Sequence, residues 1–194
     1  ISLKNLLELE DLGKAVKIIT DQVLLQKGLK KFPFTLTEDQ LKASNNLLGD
    51  LSKDHYTHRL VQGDTGSGKT ATIILAANQS ISCGYSCVVL APTQILANQH
   101  FATFKKFSLF PENLALITSS DKTKIKTDQP TIFIGTHSLI TTLQSTQKFP
   151  IAFIAIDEQH KFGVTQRESI QNRQPVPHVF NLSATPIPRT VAQG

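Results

Sequence analysis

The sequence predicts an α/β fold with a mostly parallel sheet that helices cover on both faces. Beyond residue 37, short runs that are apolar throughout alternate with longer helical patterns. Strands that are apolar on both faces are typical of parallel sheets, because helices bury them from both sides. A glycine-rich turn at residues 63–68 also separates a strand pattern from a helix pattern. Such sheets bind ligands at the carboxyl ends of their strands, so this turn marks the expected functional edge.

The N-terminal region predicts one helix. Apolar residues recur at close to every 3.6 positions between residues 3 and 29. Pro33 then breaks the pattern, because proline lacks a backbone N–H and restricts the residue before it. We expect residues 1–33 to be a helical linker to an upstream domain and residues 34–194 to form the main domain. The chain starts at Ile1 and contains no methionine, so we expect it to be a piece of a longer protein.

The main domain alternates strands and helices in chain order. The predicted strands are Arg59–Gln62, Cys87–Ala91, Leu114–Thr118, Thr131–Gly135, Ile151–Ile156 and His178–Leu182. The predicted helices are Glu38–Leu48, Lys69–Ser82, Gln94–Phe107, Ser138–Leu143, a short one near Gln166–Asn172 and one starting at Ile187. The polar stretch Ser119–Gln129 predicts a flexible loop.

Composition limits the class of protein. The 194 residues are 40% hydrophobic and 18% charged, which is ordinary for one soluble globular domain. No apolar run is long enough to span a membrane, and no secretory signal is visible, so we expect a cytoplasmic protein. The net charge of +5 suits a polyanionic partner such as nucleic acid. Cys83 and Cys87 lack the further ligands of a zinc site, which indicates two free thiols.

A complete phosphate-binding loop (P-loop) follows the first predicted strand. Its residues are Gly63, Asp64, Thr65, Gly66, Ser67, Gly68, Lys69 and Thr70. Glycines let consecutive backbone N–H groups turn toward phosphate oxygens, and the following helix adds its N-terminal N–H groups. We expect Lys69 to reach the β- and γ-phosphates of ATP and the Thr70 hydroxyl to ligate Mg²⁺.

Two acids follow the buried run 151–156. Burying carboxylates costs several kcal/mol unless they have partners or a function. Asp157 at the strand end is expected to hold Mg²⁺ across from Thr70, and Glu158 to polarise the water that attacks the γ-phosphate. A solvated turn is the alternative for this pair taken alone.

Gln40 has two interpretations. Residues Thr37 to Gln40 fit a capping box, in which the Thr37 side chain caps the helix and the Gln40 side chain reaches back. The Gln40 amide, with a donor and an acceptor, also suits the edge of adenine. The residues alone do not decide between them.

The order of these motifs resembles that in superfamily 2 helicases. Their amino-acid sequences resemble those of the RecG family from Phe34 to Gly194. The motifs are PFTLTEDQ, RLVQGDTGSGKT, LAPTQILANQH, IGTHSLI, IDEQHKFGVTQR and LSATPIPRT. The DEQH tetrad with Gln166-Arg167 favours RecG over transcription-repair coupling factors, which usually carry Glu where Gln159 stands. The resemblance implies a RecA-like P-loop fold and the first of two motor lobes.

The resemblance also implies roles at the nucleotide. It implies that Gln40 recognises adenine and that His160 links the nucleotide site to residues 183–185. An exposed loop histidine is the alternative for His160. Phe34 is expected either to stack near the adenine or to join the core.

A track for a nucleic-acid backbone is implied as well. Its expected residues are Pro92, Thr93, Gln94, Gly135, Thr136 and His137. Small hydroxyl and amide groups at strand ends can bond phosphates without reading bases. Thr93 and Thr136 are also ordinary helix-cap residues.

The leading interpretation is ATP-driven movement on branched or single-stranded DNA in recombination and repair. Another superfamily 2 motor, such as a transcription-repair coupling factor or an RNA helicase, and a nucleotide-binding module without motor activity are the alternatives. A GTPase base-reading motif and the arginine-rich lid of a kinase are absent from the sequence. In the resembled family, an upstream wedge domain gives branch specificity and the second lobe supplies an arginine finger. We therefore expect the isolated chain to bind ATP but hardly to hydrolyse it.

Overall fold

The computed structural model describes residues 14–64, 66, 68–119, 128–146, 150–157 and 175–184. Within them the helices are α1 (Gln22–Leu29), α2 (Glu38–Leu51), α3 (Lys69–Ser82), α4 (Gln94–Phe107) and α5 (His137–Thr146). The strands are β1 (His58–Gln62), β2 (Ser86–Leu90), β3 (Leu114–Ile117), β4 (Ile132–Gly135), β5 (Ile151–Asp157) and β6 (His178–Ser183). None of these helices is both long and apolar enough to cross a membrane.

The described strands form one sheet in the order β1-β6-β5-β2-β4-β3, and every neighbouring pair is parallel. Their registers bring the carboxyl ends to the same level. Gln62 pairs with Ser183, and Asp157 pairs with Leu182 one position earlier on the same strand. We call this side of the sheet the carboxyl edge.

Helices cover the sheet on both faces, as the sequence predicts. Cys87 and Val89 of β2 belong to a hydrophobic cluster that includes residues of α1, α2, α3 and α4. Val88 and Leu90 belong to a second cluster that includes residues of α5. Successive strand residues point to opposite faces, so these two clusters lie on the two sides of the sheet.

α3 is buried along nearly its whole length. Every residue from Ala71 to Ile81 is buried, and α1 and α2 pack against this helix. A Cβ added at Gly28 of α1 would lie 2.9 Å from Leu75 Cδ2 of α3. The close approach of α1 to α3 therefore depends on glycine at that position.

The prediction of a continuous helix from residue 3 to 29 is wrong for residues 14–21, which we call the N-terminal strap. Ala15 forms a parallel bridge with Val176, and its N–H donates to the Asp54 carbonyl at 2.8 Å. α1 begins only after Asp21, whose carboxylate accepts two N–H groups of the first turn. Tertiary pairing of an extended backbone outweighs the 3.6-residue pattern here, and the cap at Asp21 is the start signal that periodicity missed.

The strap belongs to the same core as the sheet. Its Ile18 is fully buried in the first hydrophobic cluster. Asp21 N–H donates to Gln79 Oε1 of α3 at 2.9 Å, and Gln79 Nε2 donates to the Asp21 carbonyl at 3.0 Å. The division of the chain at residue 33 stays a prediction.

The other predicted elements agree with the structure. Each of the six strands differs from its predicted range by no more than one residue at either end. The helices predicted at residues 69–82 and 94–107 have those bounds, whereas α2 and α5 extend beyond theirs. The helices predicted near Gln166–Asn172 and from Ile187, and most of the predicted loop Ser119–Gln129, lie outside the described residues.

Candidate functional site

The P-loop leads from the end of β1 into α3. Gly66 and Gly68 have φ values of +81° and +82°, a region that strains side chains with a Cβ. Gly68 precedes the first residue of α3, and no side-chain hydrogen bond caps this end of the helix. The first N–H groups of a helix have no intrahelical partner, so the start of α3 suits an anion. Thr65 and Ser67 lie outside the described residues.

The Lys69 side chain folds back onto the P-loop that precedes it. Its Nζ donates to the Gly63 carbonyl and, at 2.9 Å, to the Asp64 carbonyl. The ammonium is therefore held between the end of β1 and the start of α3. A negatively charged ligand in the loop would meet this cation and the helix N-terminus together.

The P-loop is also tied to the end of β6. The Gly63 N–H donates to the Ser183 carbonyl at 3.1 Å. Ser183 is the first of residues 183–185, which the resemblance links to the nucleotide site. The Ser183 side chain is buried. The hydrogen bond gives these two motifs a direct backbone contact.

Gln40 forms the predicted capping box and also lies against the P-loop. Its Oε1 accepts the Thr37 N–H at 2.9 Å, and its own N–H donates to Thr37 Oγ1 at 3.3 Å, which completes a capping box. Its side chain also lies against the P-loop, because a Cβ added at Gly68 would come within 2.9 Å of Gln40 Cδ and closer still to Nε2. The capping prediction is confirmed, and adenine recognition stays a prediction.

Two pockets flank the P-loop. The first, of about 350 Å³, is lined by Thr37, Asp39, Gln40, Ala43, Val61, Gln62, Gly63, Lys69 and Thr72. The second, of about 240 Å³, is lined by Phe32, Phe34, Gly66, Gly68, Lys69, Thr70, Ala71, Thr103 and Phe107. Phe34 is 48% exposed and contacts the Phe32 ring at a centroid distance of 5.6 Å. It is therefore a pocket residue rather than a core residue.

Asp157 ends β5 on the carboxyl edge, two strands away from the strand that carries the P-loop. Its Oδ2 lies 2.8 Å from Nε2 of His100 on α4. The two side chains are 15% and 11% exposed, so the pair is largely shielded from water. Glu158 and His160, which the sequence predicts to act next to Asp157, lie outside the described residues.

The predicted nucleic-acid residues lie at the ends of β2 and β4. Thr93 caps α4 by accepting the Leu96 N–H at 3.2 Å, and Gln94 donates to Ser119 Oγ. Pro92 is half-buried, Thr136 is half-buried and His137 is exposed.

Gly135 differs from the other predicted nucleic-acid residues because it is buried. A Cβ at this position would overlap the Ile117 carbonyl oxygen. The packing of the sheet therefore requires glycine at this position. Contact with a nucleic acid stays a prediction.

Charged groups away from the P-loop stabilise the fold. Asp50 of α2 is 3% exposed and pairs with Arg59 of β1 and with Lys53, at 2.8 Å for the lysine. Burial raises the pKa of Asp50, but hydrogen bonds from Arg59 and Lys53 outweigh it and hold this pKa below its usual value. This ion pair joins α2 to the strand that leads into the P-loop.

His178 of β6 connects the sheet to the N-terminal strap. Its ring is fully buried, with Nδ1 2.7 Å from Thr57 Oγ1 and Nε2 3.1 Å from the Val16 carbonyl. Burial lowers the pKa of His178 below its ordinary value, since the charged form would lose hydration. The neutral ring with its proton on Nε2 fits both partners.

The two cysteines are free thiols, as predicted. Cys83 is exposed, whereas burial raises the pKa of the Cys87 thiol. Neither belongs to a metal-binding cluster among the described residues.

His100 is the site residue that sequence reasoning missed. It is the last residue of the motif LAPTQILANQH, and the motif alone predicts no role for it. Ala97 and Phe104 are the buried residues of α4, and His100 falls between them at helical spacing. An ionisable side chain on the inward face of an amphipathic helix was the available signal.

The family model of the DEAD/DEAH box helicases matches residues 37–193. These residues include the P-loop, Gln40 beside it, and Asp157 at the end of β5 on the carboxyl edge. The chain belongs to the DEAD/DEAH box helicase family, and ATP binding is a property of that family.

Within this family the chain is similar to the ATP-dependent DNA helicase RecG. It is 40% identical to RecG of Aquifex aeolicus over 191 residues, which cover 92% of this chain and 24% of that protein. It is 41% identical to RecG of Streptococcus pneumoniae over 169 residues, which cover 82% of this chain and 25% of that protein.

The fold is similar as well. A solved structure of RecG bound to a three-way DNA junction superposes with a TM-score of 0.78 at 28% identity, over 97% of this chain and 26% of that one. The chain spans about a quarter of the length of the curated relatives it matches. It is a RecG-like helicase motor domain with the RecA-like fold.

Proposed function

We propose that this chain is the ATP-binding lobe of an ATP-dependent DNA helicase that acts on branched DNA in recombination and repair. The observation that carries the proposal is the carboxyl edge, where the P-loop, Gln40 and Asp157 lie on one side of a parallel sheet. The relatives at about 40% identity are ATP-dependent DNA helicases, and one solved RecG structure contains a three-way DNA junction.

The loop and α3 would bind the phosphates of ATP. Lys69 already lies within the loop, so a small rotation of its side chain would exchange carbonyl partners for phosphate oxygens. Gln40 would read the adenine edge with its side-chain amide, which carries both a donor and an acceptor. Phe34 would cover the nucleotide from the second pocket.

The residues present fit a magnesium ion. The described residues contain no cluster of three or more His, Cys, Asp or Glu side chains that would form an all-protein metal cage. Magnesium instead uses one or two protein oxygens together with water and phosphates, and Thr70 and Asp157 would supply those oxygens. The ion would neutralise charge on the β- and γ-phosphates. Glu158 would accept the proton of the attacking water, and His160 would connect this site to residues 183–185.

DNA would lie along the ends of β2 and β4. Thr93, Gln94, Thr136 and His137 offer hydroxyl, amide and imidazole groups there, with Pro92 and Gly135 in the same turns. Such groups bind phosphates, so we expect affinity that ignores sequence and falls as salt rises. Branch specificity, the second lobe and the wedge domain belong to the longer protein in this proposal.

Calorimetric titration with ATP and Mg²⁺ tests the nucleotide site. We expect Lys69→Ala to abolish tight binding while the thermal unfolding midpoint stays unchanged, because Lys69 is not part of the core. Lys27→Ala, at an exposed position on α1, removes the same charge and should bind ATP like the parent chain. Equal affinity in Lys69→Ala and the parent chain contradicts the proposal.

Hydrolysis tests whether one lobe is sufficient. Among the residues that the structure describes, Arg59 is the only arginine. It pairs with Asp50 rather than with the P-loop. Without an arginine finger, P-loop enzymes lose about 10³–10⁵ in rate. We therefore expect this chain to bind ATP yet to turn over far below about 1 s⁻¹ in single-turnover assays, with or without DNA. Rapid turnover by the chain alone contradicts the two-lobe part of the proposal.

A further inference from the structure

The contact between His100 and Asp157 joins two residues that are 57 positions apart in the sequence and belong to different motifs. His100 is the seventh residue of α4, which follows β2, whereas Asp157 is the last residue of β5. Their side chains meet at 2.8 Å, and both are largely shielded from solvent. No other polar partner is described for the His100 ring within the described ranges.

The geometry fixes the roles of both groups. An ionised carboxylate only accepts hydrogen bonds, so the imidazole donates its Nε2 proton to Oδ2. Oδ2 is then held in one direction, and the carboxylate plane can no longer turn freely about its last bond. Oδ1 remains as the oxygen with a fixed position on the carboxyl edge.

We propose that His100 is a positioning residue that orients the Asp157 carboxylate for Mg²⁺·ATP. The inference rests on the proposed function, because it assumes that Asp157 serves the nucleotide-bound ion. Groups that hydrogen-bond a metal-binding side chain fix its orientation, and their loss typically lowers metal affinity by 10–100-fold. His100 occupies that place with respect to Asp157.

α4 gives this residue a second connection. The helix starts directly after Pro92 and Thr93, the turn proposed to bind the DNA backbone. His100 lies six residues after Gln94, about 9 Å along the helix at 1.5 Å per residue. Ala97 and Phe104, on either side of His100, are fully buried, so packing holds this segment of α4 against the sheet. The imidazole that contacts Asp157 therefore lies on the helix whose start is proposed to bind the DNA backbone.

The test measures ATP affinity by calorimetry with Mg²⁺ and with EDTA, and the ratio of the two affinities is the magnesium enhancement. We expect His100→Ala to lower this enhancement by about tenfold or more while the affinity in EDTA stays that of the parent chain. His100→Gln keeps an N–H donor and should recover part of the enhancement. Gln99→Ala, the exposed neighbour on the same helix, should leave it unchanged.

A double variant separates positioning from direct contact. In an Asp157→Ala background, His100→Ala should cause no further loss, because its effect passes through the missing carboxylate. A parent-like enhancement in His100→Ala, or an additional loss in the double variant, overturns the positioning role while leaving the proposed function in place. Failure of the parent chain to bind ATP in either buffer overturns the proposed function and this inference together.

Discussion

Two helices of equal length follow strands and motif turns on the same edge, but they begin and pack differently. α3 and α4 both contain 14 residues. α3 starts after a glycine with positive φ and has no side-chain cap, whereas the Thr93 hydroxyl caps α4. α3 is buried from Ala71 to Ile81, whereas the buried residues of α4 are Ala97 and Phe104.

The difference separates two ways of building a binding edge. An uncapped helix start leaves N–H groups for a ligand, and burial of the rest of α3 keeps that start in place. The Thr93 side chain caps the start of α4, and the outer face of this helix is exposed to water. The polar contact of α4 with the sheet instead lies partway along the helix, between His100 and Asp157. Under the proposed function, α3 would bind phosphate with the backbone and side chains of its first residues, whereas α4 would act through His100.

The largest expected effect concerns the start of α3. Gly68→Ala places a Cβ at a φ of +82° and against the Gln40 amide, so the loop must change shape. Backbone strain of this kind costs about 1–3 kcal/mol, and we expect roughly a 100-fold loss of ATP affinity. Calorimetry with ATP measures it.

Two other glycines serve as controls for Gly68→Ala. Gly66→Ala carries a similar φ penalty but meets no atom within 4 Å, so its loss of affinity should be smaller. Gly84→Ala, at φ +86° after the end of α3, should lower stability without changing ATP affinity. Equal losses in all three variants would show that the contact with Gln40 has no part in the effect.

A matched glutamine pair tests the difference in packing. Gln79→Ala on α3 removes two hydrogen bonds and leaves the Asp21 N–H and carbonyl without these partners. We expect a loss of about 2 kcal/mol in the free energy of unfolding. Gln99→Ala on the exposed face of α4 should change it by less than about 0.5 kcal/mol. Urea unfolding of both variants measures the two values, and similar values would remove the distinction between the helices.

The smallest expected effect is the pH dependence of the stability that His178 contributes where it contacts the N-terminal strap. Unfolded histidine binds a proton near pH 6.5, whereas burial lowers the pKa of His178 in the folded chain. The unfolded state therefore binds more protons below pH 6.5. The stability that the neutral ring contributes is present above pH 6.5 and is lost as the pH falls toward the lowered pKa.

Urea unfolding at pH 7.5, 6.5 and 5.5 checks the sign of this effect. His178→Gln should flatten the decline between pH 6.5 and 5.5. His55→Gln, whose side chain is 68% exposed, should keep the decline of the parent chain. A steeper decline in His178→Gln would mean that other groups determine the acid sensitivity.

The sequence predicts the sheet well because β2 to β6 are buried on both faces, and glycine or polar turns bound the strands. It fails at residues 14–21, where the extended backbone depends on partners such as Asp54 and Val176 that are distant in sequence. Local periodicity carries no information about such contacts.

The candidate site likewise has parts that the sequence predicts and parts that it does not. The P-loop is predictable because its glycines and lysine are contiguous and serve backbone geometry. The pairing of His100 with Asp157 depends on the order of β2 and β5 in the sheet, which adjacent residues do not reveal. Gln40 is intermediate, since its cap is local but its contact with Gly68 is not.

The glycine at position 135 has a consequence for the connection between β3 and β4. Only a hydrogen atom fits beside the Ile117 carbonyl, so the observed pairing of Ile117 with Gly135 requires glycine at this position. The Thr136 N–H donates to that same carbonyl at 3.3 Å, and Asn113 Nδ2 donates to the Pro130 carbonyl at 2.7 Å. These contacts fasten the chain on both sides of the 119–129 connection. We therefore expect an insertion in this connection to leave the alignment of β3 and β4 intact, because doubling the length of a flexible loop costs only about 0.6 kcal/mol in closure entropy.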